Sequence, residues 1–211
     1  MSAPAAFPPV ALTVEGLACR RGDLEVFAGV SFTLAPGAAL LVTGENGAGK
    51  STLLMALAGL LRPTAGRIQW SGLGPDMLPR DSIHHLGHLS AVKPSLTVAE
   101  NLGFWRDLYG LGDIGPALAQ SGLAGLAHFP AGFLSAGQMR RLGLARLAAV
   151  PRPVWLVDEP ATGLDEAGAA WVNRLIAAHL DRGGIAVVAT HQRLALTGVA
   201  ETLSLAGRRA A

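Results

Sequence analysis

One cysteine, Cys19, stands in 211 residues. An internal disulfide is therefore excluded, and the usage fits a reducing compartment. No apolar run approaches the roughly 18 residues that a membrane-spanning helix needs, although 50% of the residues are hydrophobic and the mean hydropathy is +0.38. A greasy chain without a spanning segment is expected to have a partner that covers part of its surface. The opening MSAPAAFPPVA has no basic stretch and is broken by prolines, so it does not read as a signal peptide. An excess of one charge is also lacking: 17 basic residues face 15 acidic ones, the net charge is +2, and the arginines are scattered. No nucleic-acid partner is expected from that pattern, and no repeat of 20 to 50 residues is visible. Lysine is nearly absent, with Lys50 and Lys93 the only two.

What is present gathers around Lys50. Leu40 to Thr43 reads as a short buried strand, Gly44, Gly47 and Gly49 form a glycine-rich turn, and Lys50, Ser51 and Thr52 open an apolar-periodic helix. This is strand, G-x-x-x-x-G-K-S, helix. The backbone of Gly44, Glu45, Asn46, Gly47, Ala48 and Gly49 would wrap phosphate oxygens, which needs dihedrals that a Cβ disfavours. The helix N-terminus adds unpaired N–H groups and partial positive charge. Lys50 would reach the β- and γ-phosphates of a nucleotide, and the Ser51 hydroxyl would ligate Mg²⁺. The four fixed positions recur by chance in roughly one chain in a hundred of this length, so context has to decide. A lysine kept here by a chain that otherwise uses arginine argues for its chemistry.

The remaining pattern alternates strands and helices. Residues 1–9 are expected to be disordered; Val10–Glu15 and Glu25–Leu34 read as strands around a turn at Arg20–Asp23, and Arg67–Trp70 as a third. Gly72–Asp81 reads as loop and Leu86–Leu89 as a buried strand. Thr97–Tyr109 has a helical period with Val98, Leu102, Trp105 and Leu108 as its stripe, and Gly110–His128 holds two short helical pieces. Ala136–Val150 and Glu166–Leu180 read as helices; Val154–Val157, Ile185–Thr190 and Thr202–Leu205 read as strands. The fold class is α/β, one domain over 10–211, with a core at about 10–88 and 146–211 and a helical lobe at about 90–145.

Two further stretches carry chemistry. The apolar strand Val154–Val157 runs into Asp158-Glu159-Pro160, which would place Asp158 near a metal shell and Glu159 where it can polarise an attacking water. Ser135, in Leu134-Ser135-Ala136-Gly137-Gln138, is a natural N-cap for the helix that follows, and Gly137 permits close approach, so this is a second anion site. One nucleotide needs one phosphate loop. A second makes sense if it closes over the nucleotide held by another copy.

In order and spacing, GENGAGKST, LSAGQ, VWLVDEP, the ATGLD of Ala161 to Asp165 and the VVATHQ containing His191 resemble the ATP-binding cassette (ABC) ATPases over residues 12 to 205, nearly the whole chain. The resemblance implies a P-loop NTPase of ABC type with an N-terminal antiparallel β subdomain and a small α-helical subdomain. It implies a head-to-tail dimer that sandwiches two ATP molecules, each between one copy's P-loop and the other copy's Ser135, Gly137 and Gln138. It further implies Asp158 in the Mg²⁺ shell, Glu159 and His191 as catalytic residues, and Asp165 as a link across the dimer. Two places depart from the pattern. The aromatic that stacks on the base is replaced by Arg21 or Phe27, and Arg21 is equally readable as a solvated turn arginine. The coupling loop carries no glutamine; counting back from Leu96 puts His88 there, as a ligand or positioner of a Mg²⁺-bound water, whereas counting from the strand points to Leu89 through Ala91.

Within that family, LGHLSAVKPSLTVAENL, LACRRGDLEVFAGVSFTL and the aromatic-rich Asn101–Tyr109 resemble the ATPase subunits of bacterial cytochrome c maturation exporters. The resemblance implies an integral-membrane permease as partner and a peripheral place on the cytoplasmic face of the inner membrane. It also implies ATP hydrolysis coupled to haem export or to release of a haem-loaded chaperone. His84, His85, His88 and Cys19 are read as structural or loop residues, not haem ligands. The competing readings are the ATPase of another small ABC transporter, a soluble ABC ATPase acting on ribosomes or DNA, and a nucleotide-binding module that does not hydrolyse.

Overall fold

A computed structural model describes residues 6–74, 77–110, 112–191 and 200–205. The chain runs β1 (Ala11–Arg21), β2 (Leu24–Leu34), β3 (Ala39–Thr43), α1 (Lys50–Leu57), β4 (Ala65–Ser71), α2 (Pro79–Ser82) and β5 (Ile83–Leu86). It continues through α3 (Val98–Tyr109), α4 (Ile114–Gln120), α5 (Ala136–Ala149), β6 (Val154–Asp158), α6 (Glu166–Asp181), β7 (Ile185–Ala189) and β8 (Ala200–Ser204). Two sheets result: an antiparallel one in the order β2-β1-β4, and a parallel one in the order β5-β6-β7-β3-β8. The architecture is α/β, with a small antiparallel sheet beside a parallel one.

Periodicity explains the two kinds of sheet. Every residue of β6 and β7 is buried, as continuous apolar strands in a parallel sheet require. β1 and β2 alternate buried and open positions, so that one face packs on the core and the other meets solvent. One apolar cluster joins Leu12, Leu17, Phe27 and Leu34 of the antiparallel sheet to Leu40, Leu53, Leu54 and Leu156 of the parallel one. A second lies between the parallel sheet and α6, around Trp155, Val172, Ile176 and Val188. A third, around Val98, Leu102, Leu118 and Leu123, is the core of the helical lobe.

α5 belongs to two of these cores. Leu144 and Leu147 face the sheet cluster, while Leu142, Ala145 and Ala149 face the lobe. A lobe boundary at about 145 therefore falls inside a helix that both parts share.

Several elements differ from their sequence reading. β5 occupies Ile83–Leu86, not Leu86–Leu89, because its register with Val154–Val157 brings His84 and His85 into the sheet; two histidines hide a strand from a search for apolar runs. Pro79–Asp81, expected as loop, belongs to a helical turn, Pro79–Ser82, with proline at its start. Arg20 and Arg21 are paired strand residues opposite Glu25 and Leu24. Leu108 is 57% exposed, so the stripe of α3 runs on from Trp105 through Tyr109 instead. Of the stretch read as disordered, 1–5 lie outside the described residues. Phe7 is held: its amide donates to the Arg182 carbonyl at 2.8 Å, its ring lies 5.2 Å from that of His179, and the Arg182 guanidinium sits 4.2 Å over it.

Candidate functional site

β3 feeds the chain into a loop whose shape depends on two glycines. Gly44 has φ 140, and a Cβ there would lie 2.4 Å from the Leu205 carbonyl oxygen; Gly49 has φ 97, and a Cβ there would lie 2.6 Å from Val26 Cγ1. Gly49 is the N-cap of α1, and no side chain caps that helix. Its first N–H groups are thus left for a ligand. Lys50, only 7% exposed, donates from Nζ to the carbonyls of Gly44 (2.8 Å) and Glu45 (3.2 Å), which keeps the loop curled around its own cation.

On the other side of α1 stands the end of β6. Ser51 Oγ donates to Asp158 Oδ2 at 2.5 Å, and Asp158 is 4% exposed. The next residue, Glu159, takes φ 48, an uncommon conformation for a side chain other than glycine. Its amide donates to the Ala189 carbonyl at 2.8 Å, tying the turn to β7. Its carboxylate lies 2.8 Å (Oε1) from His191 Nδ1 and 3.4 Å (Oε2) from Thr162 Oγ1. A histidine that donates from Nδ1 leaves Nε2 as its remaining polar atom.

These residues border one cleft of about 510 Å³: Asn46, Gly47, Gly49, Lys50, Ser51 and Thr52 from the loop and α1, with Asp158, Glu159, Thr162, His191, His88, Arg21, Leu24 and Val26 around it. The cleft accommodates a nucleotide. A hard divalent cation fits its oxygen donors, a hydroxyl and a buried carboxylate beside the phosphate loop. His88 rims the cleft but makes no hydrogen bond to Ser51 or Asp158 among the described residues, and an imidazole is a poor ligand for such a cation. Leu89, Ser90 and Ala91 line the adjoining groove. At the far end Arg21 reaches the cleft, whereas Phe27 is buried in the core at 5% exposure. Leu24 and Val26, which sequence reasoning missed, share that wall; their i, i+2 spacing on a strand was the available signal.

Arg140 was missed as well. Its guanidinium is buried and donates to the carbonyls of Asp158 (2.6 Å) and Glu159 (2.8 Å). Burial lowers its pKa, against the raising effect of the two carboxylates. The signal was a basic residue at i−4 and i−7 from Leu144 and Leu147, on the buried face of α5.

Seven of the expected site residues are not among those that line the cleft: Gly44, Glu45 and Ala48, which belong to the phosphate loop itself, and Ser135, Gly137, Gln138 and Asp165, which lie elsewhere in the chain. Ser135 and Gln138 form a reciprocal capping box on α5, with Ser135 Oγ accepting from the Gln138 amide at 3.2 Å and Gln138 Oε1 accepting from the Ser135 amide at 2.9 Å. Asp165 caps α6 by accepting from the Gly168 amide at 2.9 Å, and pairs with Arg141 at 2.6 Å. The amide bond, followed by the Arg141 bond, holds its carboxyl below the usual range. Cys19 and His84 are buried away from the cleft, at 0% and 3% exposure.

Residues 27–162 match the ABC transporter family. The cytochrome c biogenesis ATP-binding export protein CcmA of Agrobacterium fabrum is 50% identical over 193 residues, covering 88% of this chain and 91% of that protein. The protein of the same name from Rhizobium meliloti is 50% identical over 204 residues, covering 93% and 98%. A solved structure from Pyrococcus furiosus, assigned as an ABC transporter ATP-binding protein, superposes with a TM-score of 0.80 at 27% identity, covering 92% of this chain and 97% of that one.

Proposed function

The chain belongs to the ABC transporter family and, within it, to the cytochrome c biogenesis ATP-binding export proteins, and from that premise we propose how its residues carry the work. We infer that it is an ATP-hydrolysing subunit of a cytochrome c biogenesis export system, coupling hydrolysis to haem export or to release of a haem-loaded chaperone. The observation that carries the proposal is the division of the site. The phosphate loop, Asp158, Glu159 and His191 share one cleft, while Ser135, Gly137, Gln138 and Asp165 of the same chain stand off it.

In this reading the loop amides from Gly44 to Thr52 and the Lys50 ammonium bind the phosphates of ATP, with Arg21, Leu24 and Val26 beside the base. Ser51 and Asp158 would hold Mg²⁺, which supplies charge neutralisation at the phosphates. Glu159 orients a water and takes its proton as the water oxygen bonds to the γ-phosphorus and the bond to the bridging oxygen breaks, with ADP leaving. His191 holds the Glu159 carboxylate through Nδ1 and contacts the γ-phosphate. Ser135, Gly137 and Gln138 cover the ATP of a second copy, and Asp165 sits at that junction. Two such copies work on integral-membrane permease subunits. Their place in this reading is peripheral, on the cytoplasmic face of the inner membrane; no helix among the described residues is long and apolar enough to cross a membrane.

Glu159→Gln tests the assignment of the base. Loss of a positioned base should lower turnover at least about a hundredfold while ATP still binds and holds the chains as a dimer. Turnover within twofold of the parent, read by phosphate release, would remove Glu159 from the mechanism.

A further inference from the structure

Resting on that reading of the cleft, we propose that Arg140 is a positioning residue for ATP hydrolysis, its guanidinium joining the Asp158-Glu159 turn to the loop at 87–90 and thereby setting where the Glu159 carboxylate stands.

One guanidinium serves two segments far apart in sequence. One terminal nitrogen donates to the Asp158 and Glu159 carbonyls at 2.6 and 2.8 Å; the other lies 3.4 Å from the Gly87 carbonyl, 3.3 Å from that of His88 and 3.5 Å from Ser90 Oγ. A planar fork with five donors suits this, and a single ammonium does not. Its partners on the turn are backbone oxygens, so Arg140 fixes the path of the chain and leaves both carboxylates available for chemistry.

Both segments need holding. Among the described residues, two other than glycine have positive φ: Glu159 at 48° and Ala91 at 50°. One lies within the turn that Arg140 grips and the other directly follows Ser90. Such conformations persist only where neighbouring contacts over-determine them. The close seat of α5 on the loop points the same way, since a Cβ on Gly143 would lie 2.5 Å from Ser90 Cβ. Arg140 sits in the second turn of the helix that Ser135 begins. The start of α5, the loop bearing His88 and the base are thus linked by one side chain, and a shift of α5 or of the loop is felt at Glu159.

A bolt that merely stabilises the fold and a positioner of the base predict different kinetics. The full chain, purified within its membrane complex, is compared as the parent, Arg140→Gln, Arg140→Lys, Glu159→Gln and the double variants, with turnover expressed per titrated ATP site. Arg140→Gln should lower kcat roughly tenfold to a hundredfold, the range for a displaced catalytic group, with KM for ATP within about twofold. Arg140→Lys should recover part of that loss by holding the turn alone. On the Glu159→Gln background, where no base remains to be positioned, neither substitution should lower the residual single-turnover rate further. An unchanged kcat, a KM that rises in step with the loss, or an equal loss in both backgrounds would each overturn the proposal. Should Arg140→Gln yield no ATP sites, the lysine cycle decides by the same criteria. Full turnover in Glu159→Gln alone would instead fail the reading of the cleft, and the positioning role with it.

Discussion

α1 and α5 both begin after a turn containing glycine, and the proposed function offers both N-termini to phosphate, yet they are finished in opposite ways. α1 starts at Gly49 with no side-chain cap, so its first amides wait for an anion. α5 starts at Ser135 with a complete capping box, and two of its amides are already satisfied from within. An uncapped terminus costs the folded chain about 1 kcal/mol relative to a capped one. That is a tolerable loss where a ligand with several negative charges replaces the cap. The capped terminus is self-sufficient in one protomer, and its Ser135 hydroxyl can still donate. On the proposed function the first binds the nucleotide, and the second is brought to a nucleotide already bound.

Two substitutions break this contrast from either side. Lys50→Ala takes away the cation that completes the α1 loop, and ATP affinity measured by calorimetry should fall at least about a hundredfold, as for the loss of several charge-assisted contacts. Affinity within threefold of the parent would deny the loop its role. Ser135→Arg should act later. ATP binding to one protomer stays within about twofold, because Ser135 does not border its own cleft, while nucleotide-driven dimerisation of a Glu159→Gln background disappears in sedimentation runs. Ser135→Ala separates the cap from the contact: it removes the capping bond, worth about 1 kcal/mol and a few degrees in Tm. If Ser135→Arg dimerised as well as the alanine variant, the second anion site would have no partner to serve.

The same contrast explains what could be read from the sequence. The phosphate loop, Asp158 and Glu159 were legible because each is a local event, a glycine turn or a strand end, and the strand that leads into it is a continuous apolar run. Ser135 was legible as a cap because a cap too is a local event. Arg140 and Leu24 were not. Their roles arise from contacts across 18 or more positions: helical spacing puts Arg140 on the buried face of α5, but nothing in Met139-Arg140-Arg141 says which segments its guanidinium meets. β5 was displaced by three residues because its identity rests on pairing with β6 rather than on its own composition.

β5 also carries the smallest of the expected effects. His84 lies in the seam between the parallel sheet and the helical lobe, with Nε2 2.8 Å from the Val150 carbonyl and Tyr109 edge-on at 6.2 Å. Bonding to a carbonyl requires Nε2 to carry the ring's proton, so the neutral ring already meets its partner. Burial, followed by the nearby charges of Arg146, Arg152 and His179 and against the raising effect of the Val150 bond, lowers its pKa to about 3. His179, stacked 3.8 Å from Trp155, is lowered to about 4, chiefly by burial. With folded values below the ordinary 6.5, the unfolded chain binds protons that the folded one refuses, and stability is lost as pH falls from about 6.5 toward those values. Each histidine contributes a slope of up to about 1.4 kcal/mol per pH unit in that window. His84→Gln keeps a donor near Nε2 and cannot titrate. Urea unfolding at pH 7, 6 and 5 should therefore show a shallower acid slope by close to one histidine's share, with ATP binding at pH 7 unchanged. An identical slope in parent and variant would mean that His84 is charged in the folded seam, and Arg146 and Arg152 would then have to face a third cation there.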